Sequence, residues 1–210
     1  MKLVKPYTEI LTDINTEEVY KTLEQVARTC YKSEDKITED SSTKLLNRLI
    51  NVGHEAMIEF FDITVLFVCD RATSQSIVRH RLASYAQEST RYCNYGKDKF
   101  DNEVAFIEPF WLENVSKEEQ TIFLETVKKT EDAYLELLNK GWKPEQARVV
   151  LPSTLKTEIN VKMNLREWRH FFKLRTAKNA HPQIQELAIP LLKKFHEKLP
   201  VIFEDIYRNL

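Results

Sequence analysis

The stretch Leu155–Arg175, LKTEINVKMNLREWRHFFKLR, changes its period once, at Asn164. Up to that point Leu155, Thr157, Ile159, Val161 and Met163 face one way, while Lys156, Glu158, Asn160 and Lys162 face the other. A period of two with one apolar and one charged face is the pattern of a half-exposed strand in an antiparallel-type sheet. Beyond Asn164 the apolar rings Trp168, Phe171 and Phe172 recur at helical spacing, which predicts a helix over about 165–175 with those rings in the core. Strand followed directly by helix implies a mixed fold.

The same alternation of strand and helix continues outward from this segment. Phe61, Ile63, Val65 and Phe67 form one face of a second strand, and Asp70 opens a helix expected to run to about Arg81. A first helix is expected from Asn15 or Thr16, where Glu18 is placed to complete a cap, with Val19, Leu23, Val26, Ala27 and Cys30 along one side. A second begins near Ser42 and stops at Gly53. Ser116 and Glu119 make a capping-box pattern ahead of a long helix that Gly141 closes, and Pro144 starts a short helix that carries Arg148. Helices over about 182–197 and 199–208 complete the set. The expected architecture is α+β: a single helix-rich domain over residues 1–210 with a central, mainly antiparallel sheet.

Only three glycines occur, Gly53, Gly96 and Gly141, so a GxGxxG fingerprint and a glycine-rich phosphate loop are both excluded. No Rossmann fold is expected. Thirty-one Lys plus Arg balance thirty-two Asp plus Glu in 210 residues, which leaves no bulk positive field for nucleic acid. Any anion site must therefore be local. Cys30, Cys69 and Cys93 are odd in number and far apart, fitting neither a disulfide framework nor a metal pair, and they point to a reducing cytoplasm. Cys30 continues an apolar helical stripe and Cys69 ends an apolar strand, so both are expected to be buried and inert; Cys93 is expected to be a structural thiol. The longest apolar run, Ile63–Cys69, is far too short to span a bilayer. No metal site is expected, because His54 and His170 are far apart with no cysteine or paired acid nearby.

The segment Asp70–Tyr92, DRATSQSIVRHRLASYAQESTRY, holds Arg71, Arg79, Arg81 and Arg91 and no lysine. Arginine presents a rigid fork of donors suited to phosphates and carbonyl-bearing rings, where lysine is a mobile point charge. Taken alone, Arg79-His80-Arg81 reads as a solvated basic helix end that complements the macrodipole. If the helix reaches Arg81, the two arginines project about 200° apart and serve two surfaces. The residues from Ser84 to Tyr92 are poor in hydrophobic periodicity and rich in hydroxyls, amide and aromatic rings, as expected of a loop that lines a ligand.

Arg79-His80-Arg81, seven residues and then Ser89 resembles the RHR-x7-S signature of the flavin-dependent thymidylate synthases, the ThyX family. Gly53-His54-Glu55 with Glu59 resembles the family's GHE segment, and Ala147-Arg148 through Leu151-Pro152 its ARxxLP segment. Asn164-Leu165-Arg166, His170-Phe171 and Leu174-Arg175 resemble its NxRxxxHFxxLR segment. The resemblance covers roughly residues 50–190 in the family's order.

The resemblance implies reductive methylation of dUMP to dTMP, with 5,10-methylenetetrahydrofolate as carbon donor and NADPH-reduced FAD as hydride source. It implies a homotetramer with shared active sites, neither nucleic acid nor membrane being a partner. By position, Ala56, Arg79, His80, Arg81, Gln87, Asn164, Arg166 and His170 would line FAD. Ser76, Arg79, Gln87, Glu88, Ser89, Thr90, Arg91, Arg148 and Arg175 would surround dUMP, with Arg175 as the catalytic charge. Only the resemblance makes Arg148 and Arg175 ligands, since an isolated arginine after an apolar helical pattern usually snorkels or pairs. Three positions depart from the commoner pattern: Ser76 replaces Gln or Glu, Gln87 replaces a frequent Glu, and Asn179 stands where His is frequent. The competing reading is a nucleotide- or RNA-binding module without turnover, against which the near-neutral charge counts.

Overall fold

Polar side chains at the boundaries decide where each element starts. In the computed structural model, which describes residues 1–210, the chain forms six strands and eight α-helices. They are β1 (Lys2–Val4), β2 (Tyr7–Ile10), α1 (Thr16–Thr29), α2 (Ser41–Asn51), β3 (Asp62–Asp70), α3 (Arg71–Ile77) and β4 (Ala83–Gln87). Then come β5 (Ala105–Ile107), α4 (Lys117–Asn139), α5 (Pro144–Ala147), β6 (Lys156–Asn164), α6 (Leu165–Arg175), α7 (Pro182–Lys198) and α8 (Pro200–Tyr207). Asn15 caps α1 by accepting from the Glu18 N–H, Asp70 caps α3 through Thr73, and Asn164 caps α6 through Glu167. Ser116 and Glu119 make the full reciprocal box at α4. Gly53 (φ 78°) and Gly141 (φ 91°) supply the left-handed residues behind α2 and α4.

The expected α+β class stands: the sheet has four antiparallel strands in the order β2-β3-β6-β4, and β1 pairs in parallel with β5. Burial along β6 alternates as the sequence predicts, with Thr157, Ile159, Val161 and Met163 inside. The chain divides into two compact units: Met1–Tyr7, Phe67–Arg79 and Ala86–Ile159 form one; Thr8–Leu66, His80–Tyr85 and Asn160–Leu210 form the other. The first unit closes on Tyr95, Val104, Phe106, Val127, Tyr134, Ala147 and Leu155. The second closes on an aromatic cluster from α6, α7 and α8, in which Trp168 lies 5.2 Å from Phe195 and Phe195 lies 5.3 Å from Phe203, centroid to centroid. The Trp168 indole N–H, buried with its ring, donates to the Ile63 carbonyl at 3.0 Å.

Three expectations need correction. Helix α3 stops at Ile77 rather than near Arg81, because the chain must turn to bury His80 and enter a strand. The segment read as a ligand-lining loop contains β4, whose Ala83, Tyr85 and Gln87 are half-buried in alternation with exposed Ser84 and Ala86. Cys30 is exposed at the end of α1; Cys69 is buried, and burial pushes its thiol up to about 12.

Candidate functional site

In the first unit the chemistry gathers where β4 leaves the sheet. Gln87 donates from Nε2 to the Ser74 hydroxyl at 3.0 Å and to the Thr157 hydroxyl at 3.2 Å, so its amide orientation is fixed by α3 and β6. Glu88 accepts from the Tyr95 hydroxyl at 2.8 Å and from Lys156 at 3.2 Å. Burial lowers the Lys156 ammonium's pKa, but Glu158 and Glu88 outweigh it and hold the value above normal, so the ammonium is charged at neutral pH. Arg71 reaches the Glu88 carbonyl at 3.3 Å and steadies the same turn. These contacts make a rigid base beneath residues 89–91.

On that base, the Ser89 hydroxyl accepts from the Arg91 N–H at 3.3 Å, and the Cys93 N–H donates to the Ser89 carbonyl at 2.9 Å. Arg148, in the turn after α5, donates from Nη1 to the Thr90 hydroxyl at 3.0 Å. The exposed guanidinium of Arg91 pairs with Glu145 at 2.8 Å. Arg79 is exposed just after α3, and Ser76 is half-buried on it. Two guanidiniums, two hydroxyls and their supporting turn thus occupy one short stretch, a geometry suited to an oxyanion such as phosphate.

In the second unit His80 is the centre, 3% exposed and wedged beside the Phe171 ring at 5.1 Å. Its Nδ1 lies 3.0 Å from the Glu167 carboxylate, and its Nε2 accepts from Arg175 Nε at 3.2 Å. Burial pushes the imidazole below its ordinary value; the Glu167 hydrogen bond pulls upward, the Arg175 charge pushes down, and the net direction is down. His80 is therefore neutral near pH 7, with the proton on Nδ1 and a lone pair on Nε2. Burial also lowers the pKa of Arg175, which remains charged. Tyr85 in β4 donates its hydroxyl to the His80 carbonyl, and burial pushes that phenol up to about 12.

A cavity of about 430 Å³ opens in this unit, walled by Asn164, Arg166, His170, Lys173, Leu82 and carboxylates that include Glu55 and Glu59. Arg166 holds Glu59 at 2.5 Å, both about half exposed, so that exchanging this partner for a ligand anion costs little. Beneath the cavity Arg169, 2% exposed, grips Glu55 at 2.9 Å and Asp205 at 2.6 Å. Arg81 is exposed, and Ala56 lines a separate apolar hollow of about 300 Å³ with Cys30, Met57 and Phe60. His80, Glu167 and His170 bring potential ligand atoms within 4.8 Å of one another. Both His80 nitrogens are already engaged, so this is a hydrogen-bonded cluster rather than a ligand set.

The sequence reading missed Ser74, Thr157, Glu145 and Glu167. A signal existed for two of them: Thr157 is a hydroxyl on the buried face of the β6 alternation, and Glu167 is an acid beside the buried rings of α6. Polar groups placed inside need partners.

The model of the thymidylate synthase complementing protein family matches residues 12–201. A flavin-dependent thymidylate synthase of Geobacter sulfurreducens is 35% identical over 186 residues, covering 85% of this chain and 78% of its own. The enzyme so named from Pyrococcus furiosus is 35% identical over 170 residues, 80% of this chain and 68% of its own. The solved structure of the UMP/dUMP methylase PolB from Streptomyces cacaoi, bound with 5-Br dUMP, superposes with a TM-score of 0.78 at 24% identity, covering 97% of this chain and 96% of that one, which establishes the shared fold. The chain belongs to the thymidylate synthase complementing protein family. Its activity is that of a flavin-dependent thymidylate synthase, and its cofactor is FAD.

The second-unit cavity fits part of such a cofactor. Its volume lies within the range of about 300–1,000 Å³ usual for ligand pockets. Arg166 and Lys173 offer charge for a pyrophosphate, and Asn164 and His170 offer groups for ring carbonyls and nitrogens.

Proposed function

We propose that the protein converts dUMP to dTMP by reductive methylation, with methylenetetrahydrofolate as the one-carbon donor and NADPH as the reductant. The observation that carries this reading is the Arg148–Thr90 contact at 3.0 Å, which adds a second guanidinium to the Ser89–Arg91 turn. Ser89, Arg91 and Arg148 take the dUMP phosphate, with Thr90 and Arg79 at its margin. Ser76, Gln87 and Glu88 border the nucleoside. The Gln87 amide, held by Ser74 and Thr157, offers its carbonyl oxygen as a neutral acceptor and cannot act as a carboxylate base. Arg175 meets the negative charge that develops on the pyrimidine ring, the term that preorganised charge stabilises most.

FAD, when bound and reduced, supplies the hydride, so no protein nucleophile is required. Asn164, Arg166 and His170 would hold it, and the family's motif positions add Ala56, Arg79, His80, Arg81 and Gln87 as residues that would contact it. We further propose that residues 1–210 act as one catalytic domain and assemble as a cytoplasmic homotetramer that shares its sites. Leu82, Tyr92 and Val149 support assembly: all three lie inside or beside the motif segments and are each more than 70% exposed, at 72%, 76% and 72%. No helix is long and apolar enough to cross a membrane.

The test is tritium release from [5-³H]dUMP by the yellow purified protein. Release that requires both methylenetetrahydrofolate and NADPH is expected. Flavin-loaded protein that binds dUMP without releasing tritium overturns the reading.

A further inference from the structure

We propose that Glu167 is a positioning residue for Arg175, acting through the His80 imidazole. The proposal rests on the reading of Arg175 as the group that meets the pyrimidine's developing charge. Three side chains form one chain of donors and acceptors: Glu167 Oε1 accepts from His80 Nδ1–H at 3.0 Å, and His80 Nε2 accepts from Arg175 Nε–H at 3.2 Å.

The direction of this relay is forced. Arginine nitrogens only donate, so the imidazole nitrogen facing Arg175 must be bare. An imidazole with Nε2 bare carries its proton on Nδ1, and a buried N–H there requires an acceptor. Glu167 is that acceptor, itself 8% exposed and fixed at the first turn of α6, where its own N–H is capped by Asn164 at 2.9 Å. Without the carboxylate the imidazole is free to take the other tautomer, which would point N–H at N–H and push the guanidinium away. A hydrogen bond through Nε sets the plane of the whole guanidinium, and a small tilt at a charge-stabilising group costs rate rather than binding.

The surroundings leave the imidazole little other freedom. Phe171 packs on its ring at 5.1 Å, His170 lies edge-on at 5.5 Å, and the Tyr85 hydroxyl holds its carbonyl. Packing therefore fixes where the ring is, and Glu167 fixes which nitrogen bears the proton. The signature is a Glu three residues before the His170-Phe171 pair and eight before Arg175, on the inner face of one helix.

The test compares Glu167→Leu with Glu167→Gln in the FAD-loaded enzyme. Gln keeps an acceptor for the Nδ1 proton; Leu removes it at similar volume. Leu should lower kcat by about tenfold or more, the rate equivalent of one net hydrogen bond, with dUMP Kd changed less than about threefold, and Gln should recover most of the loss. A Leu variant with wild-type kcat overturns the proposal, as does a Gln variant as slow as Leu. Should the Leu variant not fold, ¹⁵N spectra of histidine-labelled wild-type holoenzyme decide the matter: His80 must show a protonated Nδ1 and a bare Nε2, and the opposite tautomer overturns the proposal. Wild-type protein inactive on dUMP would sink the functional reading instead, and the tautomer measurement separates the two failures.

Discussion

Arg91 and Glu145 are joined across the surface of the first unit, Nε to Oε2 at 2.8 Å, with the Arg91 side chain exposed and that of Glu145 partly so. An exposed pair of this kind contributes little to stability, so the guanidinium is held in place yet readily surrendered to a better acceptor. Phosphate is such an acceptor.

Arg91→Lys keeps the charge and loses the planar fork. It should weaken dUMP binding by about 1.5–3 kcal/mol, the range for a hydrogen bond to a charged group. Isothermal calorimetry showing unchanged affinity would move Arg91 out of the phosphate site.

Arg175→Ala should lower kcat by about 10²–10³-fold while dUMP binding changes far less, because its charge matters most when the ring gains electron density. Steady-state kinetics beside a direct dUMP titration separates the two effects. Equal loss of affinity with intact kcat would make Arg175 a binding residue only.

Arg169→Ala leaves Glu55 and Asp205 without their shared cation. Both carboxylates keep contact with water, Asp205 at 47% exposure, so the loss should be that of hydrogen bonds to charged groups, about 1.5–3 kcal/mol, rather than that of a fully buried pair, and urea unfolding at pH 7 should register it. A melt unchanged from wild type would show that the clasp is a passenger.

The same clasp has a pH signature. Burial pushes the Asp205 carboxyl up, but Arg169 outweighs burial and leaves its folded value below the ordinary 3.8. A depressed carboxylate stabilises the fold at pH above its unfolded value and loses that contribution as pH falls through the folded value. The stability gap between wild type and Arg169→Ala should therefore be full near neutrality and narrow below about pH 4. A gap that is independent of pH would exclude this charge coupling.

Cys93 lies half-buried against the first unit's core, and its N–H is spent on the Ser89 carbonyl. Cys93→Ser should keep most of its turnover, and dUMP should form no adduct through position 93. A trapped covalent adduct seen by mass spectrometry would overturn the nucleophile-free mechanism.

Much of this architecture is legible where one face of an element must be buried. The β6 alternation, the α4 capping box and the aromatic face of α6 are decided by neighbours a few residues away, and all three appear as read. β4 is different: Ala83–Gln87 has little apolar alternation, and its strand character comes from pairing with β6, which is remote in sequence. The early end of α3 has the same cause, since His80 is claimed by Glu167, 87 residues on. The site residues came from motif spacing, whereas the groups that hold them depend on long-range packing: Glu167 shows locally only as an acid on the buried face of α6, with its partner His80 unstated, and Ser74 under Gln87 has no local signal at all.

Glu55 and Asp205 share one guanidinium, and that makes helix α8 a thermal fuse for the loop ahead of Ala56. Helix ends fray first on warming, well before a core opens. As the last turn of α8 loosens, Arg169 loses a partner and the Glu55 wall of the cavity relaxes with it. Flavin fluorescence should then rise, as the cofactor departs, at a temperature below the collapse of the helical circular dichroism signal: the flavin leaves before the protein unfolds.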